Sequence, residues 1–133
     1  MEKARFLNSL VASRAPSKNK PSALCWRLEQ PLIFFSLIQG HIEVPQGFET
    51  DFASVPRLPL AYLFFGDTAH AAAVVHDYLC VYHFPRRLVT WDRAAEIFDE
   101  AMAASGVSWW RRKAMVTAVR LHGATKATSL RRA

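Results

Sequence analysis

His76 and Asp77 stand side by side behind the apolar run Ala71 to Val75, with Leu79 following them. An imidazole next to a carboxylate on an apolar helix demands an explanation, because a buried charge without partners costs several kcal/mol. Adjacent helical positions point about 100° apart, so the two side chains address different partners. A carboxylate opposite His76 would fix its tautomer and let the other ring nitrogen activate water as a general base. Asp92, which opens the next helical pattern after a short connection, is the candidate for that carboxylate. Asp77 faces elsewhere and is a candidate cation ligand together with Asp51, oxygen donors of the kind calcium takes. On this reading His76 and Asp92 are the catalytic pair, Asp51 and Asp77 are the metal ligands, and the cation is calcium or zinc. The structural alternative makes His76 and Asp77 a buried hydrogen-bond hub. Asp51 then caps a loop or pairs with Arg57, and Asp92 steadies a helix N-terminus through the helix dipole.

The elements that must position these groups follow from the pattern of side chains. From Ala23 to Phe52 the chain reads as extended, with Trp26, Leu28, Leu32 to Phe35, Ile42 and Val44 carrying β-favouring side chains. Gln39-Gly40 is a turn between strands, and Pro45-Gln46-Gly47 ends the next strand. Pro56 and Pro59 hold a non-helical connection. After Gly66 the spacing turns helical. A first helix runs from about Ala69 to Val81 with Asp67 or Thr68 as its cap, and Phe84-Pro85-Arg86-Arg87 breaks it. Thr90 caps a second helix, Trp91 to about Ser105, whose Ala94, Ile97, Phe98, Ala101 and Met102 fall on one face. Ser108 caps a third through about Leu121, which Gly123 stops. Strands first and helices afterwards predict an α+β fold, a short antiparallel sheet of two to four strands followed by three packed helices.

A chain of 133 residues, 51% hydrophobic and 21% charged, is expected to form one domain with a real core. Residues 1–22 read as a flexible basic arm, 23–124 as the domain and 125–133 as a basic tail. Phe6, Leu7 and Leu10 are apolar points on the arm that suit a partner. No apolar stretch reaches the roughly 20 residues a spanning helix needs, and the N-terminus lacks the apolar core of a signal peptide. The expected location is cytoplasmic or virion-borne. Cys25 and Cys80 make no metal spacing and no disulfide framework, so both are expected as free thiols. Cys25 with the distant His76 also has the composition of a nucleophilic pair, without a helix N-terminus to activate the thiol.

The net charge of +6 gathers late in the chain, at Arg111, Arg112, Lys113, Arg120, Lys126, Arg131 and Arg132. Such a run suits an anionic surface, an acidic protein or nucleic acid, although no nucleic-acid motif is present; a solvated helix face is the plainer reading. Trp109-Trp110-Arg111-Arg112-Lys113 pairs aromatics with cations and would meet lipid headgroups or phosphate. The preferred alternative places Trp109 or Trp110 in the core as the anchor of the third helix.

The stretch Gly47-Phe-Glu-Thr-Asp-Phe-Ala-Ser-Val-Pro56, followed by His76-Asp77-Tyr78-Leu79 and by Asp92 to Met102, resembles the hallmark of an uncharacterised family of phage and prophage proteins. The resemblance covers roughly residues 26 to 122 and implies a phage origin without a known reaction. Cys80 stands where that family usually has tyrosine. The helices bearing His76-Asp77 and Asp92-Arg-Ala-Ala with Phe98 are also similar to those of phospholipase A2, bacterial members in particular. That resemblance implies His76 as general base, Asp92 as its orienting partner and Asp77 as a calcium ligand. It lacks the glycine-rich calcium loop, the disulfides and the tyrosine at position 80. Ala-Ala-x-x-His-Asp further resembles the His-Asp phosphohydrolases, which would draw on His41 or His70 and on Asp92 or Asp99. Two functions follow as expectations. One is a small phage hydrolase acting on a host-envelope ester or amide. The other is a non-enzymatic virion or accessory protein that binds other phage structural proteins, an anionic surface or nucleic acid.

Overall fold

Alternation of apolar side chains sets the strands. In Leu32–Ser36 the side chains of Leu32, Phe34 and Ser36 are buried while Ile33 and Phe35 face outward, and in Gly40–Val44 Ile42 and Val44 are buried while His41 and Glu43 are exposed. A computed structural model of the chain describes residues 2–18, 22, 24–50 and 70–132, with side chains as far as 121. Asp51, Arg57, the two-proline connection and the caps at Asp67 and Thr68 lie outside the described residues.

Among the described residues there are six strands: β1 (Arg5–Phe6), β2 (Ala12–Pro16), β3 (Leu24–Leu28), β4 (Leu32–Ser36), β5 (Gly40–Val44) and β6 (Glu49–Thr50). They form two antiparallel three-stranded sheets, ordered β1-β4-β5 and β2-β3-β6. Leu32 lies opposite Val44 and Phe34 opposite Ile42, so the core-facing side chains of one hairpin pair directly. Gly40 closes that hairpin with φ +84°, a backbone region in which a side chain would be strained.

The segment expected to be a free arm instead supplies β1 and β2. Phe6 packs against Phe34 with centroids 4.7 Å apart, and Asn8 fixes the approach by donating to the Pro31 carbonyl and accepting from the Ile33 amide. A run of charges and prolines hid two short edge strands, β1 paired with residues about 30 positions on and β2 with those 8–16 positions on. The extended region therefore belongs to two sheets rather than one, within the expected α+β class.

Among the described residues three helices follow: α1 (His70–Tyr78), α2 (Trp91–Ala104) and α3 (Trp109–Arg132), with a π-helical turn, Leu79–His83, continuing α1. The Phe84 amide bonds to the Leu79 carbonyl five residues back at 2.8 Å. Thr90 caps α2 as expected, accepting from the Arg93 amide at 3.0 Å. The end of α2 is a Schellman turn, with Gly106 at φ +87° and the Val107 amide bonded to the Met102 carbonyl. Helix α2 is central, packing against α1, α3, β1 and β4, while α1 also packs on β5. Phe34, Val75, Leu79, Ile97, Phe98 and Met102 are among the buried side chains where these elements meet.

Helix α3 departs from expectation twice. It passes through Gly123 and continues to Arg132 where a basic tail was expected. A glycine inside a helix costs only about 1 kcal/mol, and Ala124, Lys126, Ala127, Leu130 and Arg131 are good helix formers. Its tryptophans are also outside the core: Trp109 is 62% exposed and Trp110 50%. Met115 and Val119, one turn apart, supply the inward face instead. Trp109 and Trp110 precede Met115 by six and five residues, which turns them about 120° and 140° away from it. The Ser108 carbonyl accepts the Arg112 amide, but its buried hydroxyl has no hydrogen-bond partner, so it does not cap the helix through its side chain. Among the described residues no helix is long and apolar enough to cross a membrane.

Candidate functional site

The run Ala72 to Val75 is buried in the centre of the fold, and it carries His76 and Asp77 in with it. His76 is 3% exposed and Asp77 5%. Neither is an orphan, since each is held by a further polar, electrostatic or ring interaction. Across from His76 on α2 stands Phe98, with ring centroids 4.9 Å apart. One turn further on, in the π-helical turn, is Cys80, whose sulfur lies 3.7 Å from Nε2 and 3.9 Å from Nδ1. A sulfur nearly equidistant from both nitrogens is not in line with either, so the contact is packing of a thiol against the ring rather than a proton-transfer dyad.

Asp92 is elsewhere. Its side chain is 83% exposed and its nearest cation is the Arg120 guanidinium, with Nε 3.8 Å from the carboxylate. The physical reason is register. Phe98 is an α2 residue that packs on His76, and Asp92 precedes it by six positions, about 9 Å along the axis and on another face. The structure therefore does not bring Asp92 to His76. As the one acid in the first turn of α2, Asp92 suits the helix dipole instead.

The proposed cation ligands fare differently. Asp77 is buried, whereas Asp51 lies outside the described residues. Among the described residues no three His, Cys, Asp or Glu side chains converge on a point that would hold a metal. The described residues thus do not complete a calcium or zinc site. His41 sits on the exposed face of β5 against Phe35, and Asp99 pairs with Arg112 at 3.0 Å, so neither joins His76 as a phosphohydrolase site requires. Cys25 is buried in β3, and burial pushes its thiol above the ordinary range, which disfavours the nucleophilic thiolate.

One feature escaped the sequence reading, and a second was read there with a tryptophan expected in the core. The π-helical turn builds an aromatic cluster: Tyr78 stacks on Tyr82 at 5.2 Å, meets Phe48 edge-on at 5.3 Å and touches His83 at 5.3 Å. Burial pushes the Tyr78 hydroxyl pKa up, and burial followed by the charge of Arg86 pushes His83 down. The spacing of Tyr78 and Tyr82 was a legible signal, but the extra residue in the turn, which carries His83 round to Tyr78, was not. The second feature is the pairing of exposed rings with cations on α3, where Lys113 Nζ lies 5.4 Å from the Trp109 ring and Arg111 Cζ lies 5.0 Å from that of Trp110.

Residues 26–119 match the family described as protein of unknown function DUF1353, which is most of the chain. The chain belongs to the DUF1353 family. No curated protein and no solved structure matches it. The matched span runs from β3 to the middle of α3, so it includes the His76–Asp77 helix and both tryptophans of α3 while leaving β1 and β2 outside.

Proposed function

We propose that this DUF1353 chain is a phage-encoded accessory or virion module that docks on a polyanionic partner through α3, rather than an enzyme acting at His76. The observation that carries the reading is the segregation of charge. Seven of the 17 lysines and arginines and none of the 11 acids lie from Ala101 onward, so the rest of the sequence is close to neutral. The same helix exposes Trp109, Trp110 and Leu121 to solvent. A one-signed surface of this kind concentrates an oppositely charged partner and speeds its capture. The resemblance of the Gly47 to Pro56 and His76 to Leu79 stretches to phage and prophage proteins supports the phage origin. The burial of His76 and the distance of Asp92 from it speak against a water-activating pair.

The experiment is binding to heparin at low salt by the full chain, and by a variant with glutamine at 111, 113, 126, 131 and 132. Arg112 and Arg120 are spared because they pair with Asp99 and Asp92. The reading expects salt-sensitive binding that the variant loses. A wild-type chain that ignores heparin at low salt sinks it.

One observation favours a second reading. His76 and Asp77 run directly into a π-helical turn, and such turns recur at functional sites. Hydrolysis of an envelope ester or amide with His76 as base would be abolished by His76→Asn with the fold intact. Equal turnover by that variant excludes it.

A further inference from the structure

We propose that the polyanion docked on α3 is single-stranded nucleic acid, with bases stacked on Trp109 and Trp110 and phosphates on Arg111 and Lys113. This rests on the reading of α3 as a polyanion-docking helix and adds the chemical class of the partner.

The argument begins with what a simple electrostatic surface would need. Charge alone would be served by lysines and arginines among small polar residues. Instead the first turn of α3 places two indoles in solvent, 62% and 50% exposed, at a cost in hydration that folding does not recover. Each ring is accompanied by its own cation, Lys113 over Trp109 and Arg111 over Trp110. Rings that offer a π surface beside a cation are what unpaired bases and their phosphates recognise together, and every base has a face to stack whatever its identity. A duplex hides those faces inside its own stack, so the rings favour a single strand.

Two rival partners fit less well. A helix lying on a lipid surface gathers its apolar residues into one continuous face. On α3 the inward face is Met115 and Val119, and the outward Trp109, Trp110 and Leu121 are separated by Lys113, Thr117 and Arg120. An acidic protein would satisfy the charge but gives no reason for two exposed indoles beside the cations. Arg111 and Lys113 are the cations that lie beside the exposed rings, whereas Arg112 and Arg120 reach Asp99 and Asp92 on α2.

The test is fluorescence anisotropy of the full chain with a labelled oligothymidylate, the same-length duplex, and heparin and phosphatidylglycerol vesicles as competitors. Trp109→Ala/Trp110→Ala is compared with Trp109→Phe/Trp110→Phe. Both rings are exposed, so neither variant disturbs the core, and circular dichroism verifies it. The proposal expects the single strand to bind more tightly than the duplex. It expects each lost ring to weaken that binding about fivefold or more, with phenylalanine restoring most of it and heparin affinity unchanged. Arg111→Gln/Lys113→Gln should flatten the salt dependence by about 0.7 per lost phosphate contact. Equal affinity for single strand and duplex, untouched by the alanine variant, overturns the inference while leaving the docking role in place. Ring-dependent binding to vesicles without oligonucleotide binding assigns the helix to a lipid surface and also overturns it. Failure to bind heparin or any other polyanion removes the docking role itself.

Discussion

The ring of Phe98 packs against that of His76, its centroid 4.9 Å from the centroid of the imidazole and its plane tilted by 41°. Asp92, on the same helix, turns away to Arg120. Sequence order puts an acid, two alanines and a phenylalanine on one helix; the register between α1 and α2 decides which of them the histidine meets. The phenylalanine is one group it meets, and His76 is buried with the core.

Phe98→Ala should therefore cost about 3–5 kcal/mol, the usual range for emptying a buried aromatic site. Asp92→Asn should stay within about 0.5 kcal/mol, because an exposed ion pair at 3.8 Å contributes little. Urea denaturation of both variants measures the contrast. Equal losses would mean that Asp92 is coupled to the core after all.

Glu100 ties α2 to the β4–β5 hairpin. Its carboxylate accepts from the Ser36 hydroxyl at 2.6 Å and from the Leu37 amide at 2.8 Å, while the Ile38 and Gln39 amides donate to the same hydroxyl. Removing the acceptor leaves the buried Ser36 hydroxyl without its carboxylate partner. Glu100→Ala should cost about 1–3 kcal/mol, with Glu100→Gln retaining part of the difference. Hydrogen exchange at Leu37 to Gln39 should accelerate first.

Acidification should destabilise the protein in two stages. His83 has its pKa lowered by burial and by Arg86, so its stabilising contribution is complete above the ordinary histidine pKa and is lost as pH falls through the lowered one. Glu49 has its carboxyl lowered chiefly by hydrogen bonds from Arg27, with the Lys18 amide and the Ser17 hydroxyl adding to it. Its contribution is present above the ordinary carboxylate pKa and disappears at more acid pH. Thermal midpoints measured across pH for wild type, His83→Gln and Glu49→Gln should show each variant lacking one of the two limbs.

How much of this could be read from the residues depended on the range of the interaction. Thr90 and the apolar face of α2 were legible because caps and helical spacing are local. Asn8 and Phe6 were not, since they do their work against Ile33 and Phe34, and a two-residue strand has no pattern of its own. The burial of His76 and Asp77 was visible in the alanines and valines before them. Which group stood opposite was not, because one helical residue of register moves the facing position by about 100°. Trp109 and Trp110 misled for a related reason: large apolar rings usually go inside, and only the position of Met115 and Val119 shows that they do not.

Gly123 gives a clean test of α3. A glycine within a helix is improved by alanine by roughly 0.5–1 kcal/mol, whereas a glycine that ends a helix in the left-handed region is damaged by it. Because α3 runs unbroken to Arg132, Gly123→Ala should raise helicity and thermal stability. A loss of both would restore a helix end at that position.

The docking role of α3 is tested most directly by the slope of log affinity for heparin against log salt, measured for the wild-type chain and the five-glutamine variant. A steep wild-type slope that collapses in the variant, with turnover undetected before and after His76→Asn, is the predicted result. A flat slope in both proteins would contradict it.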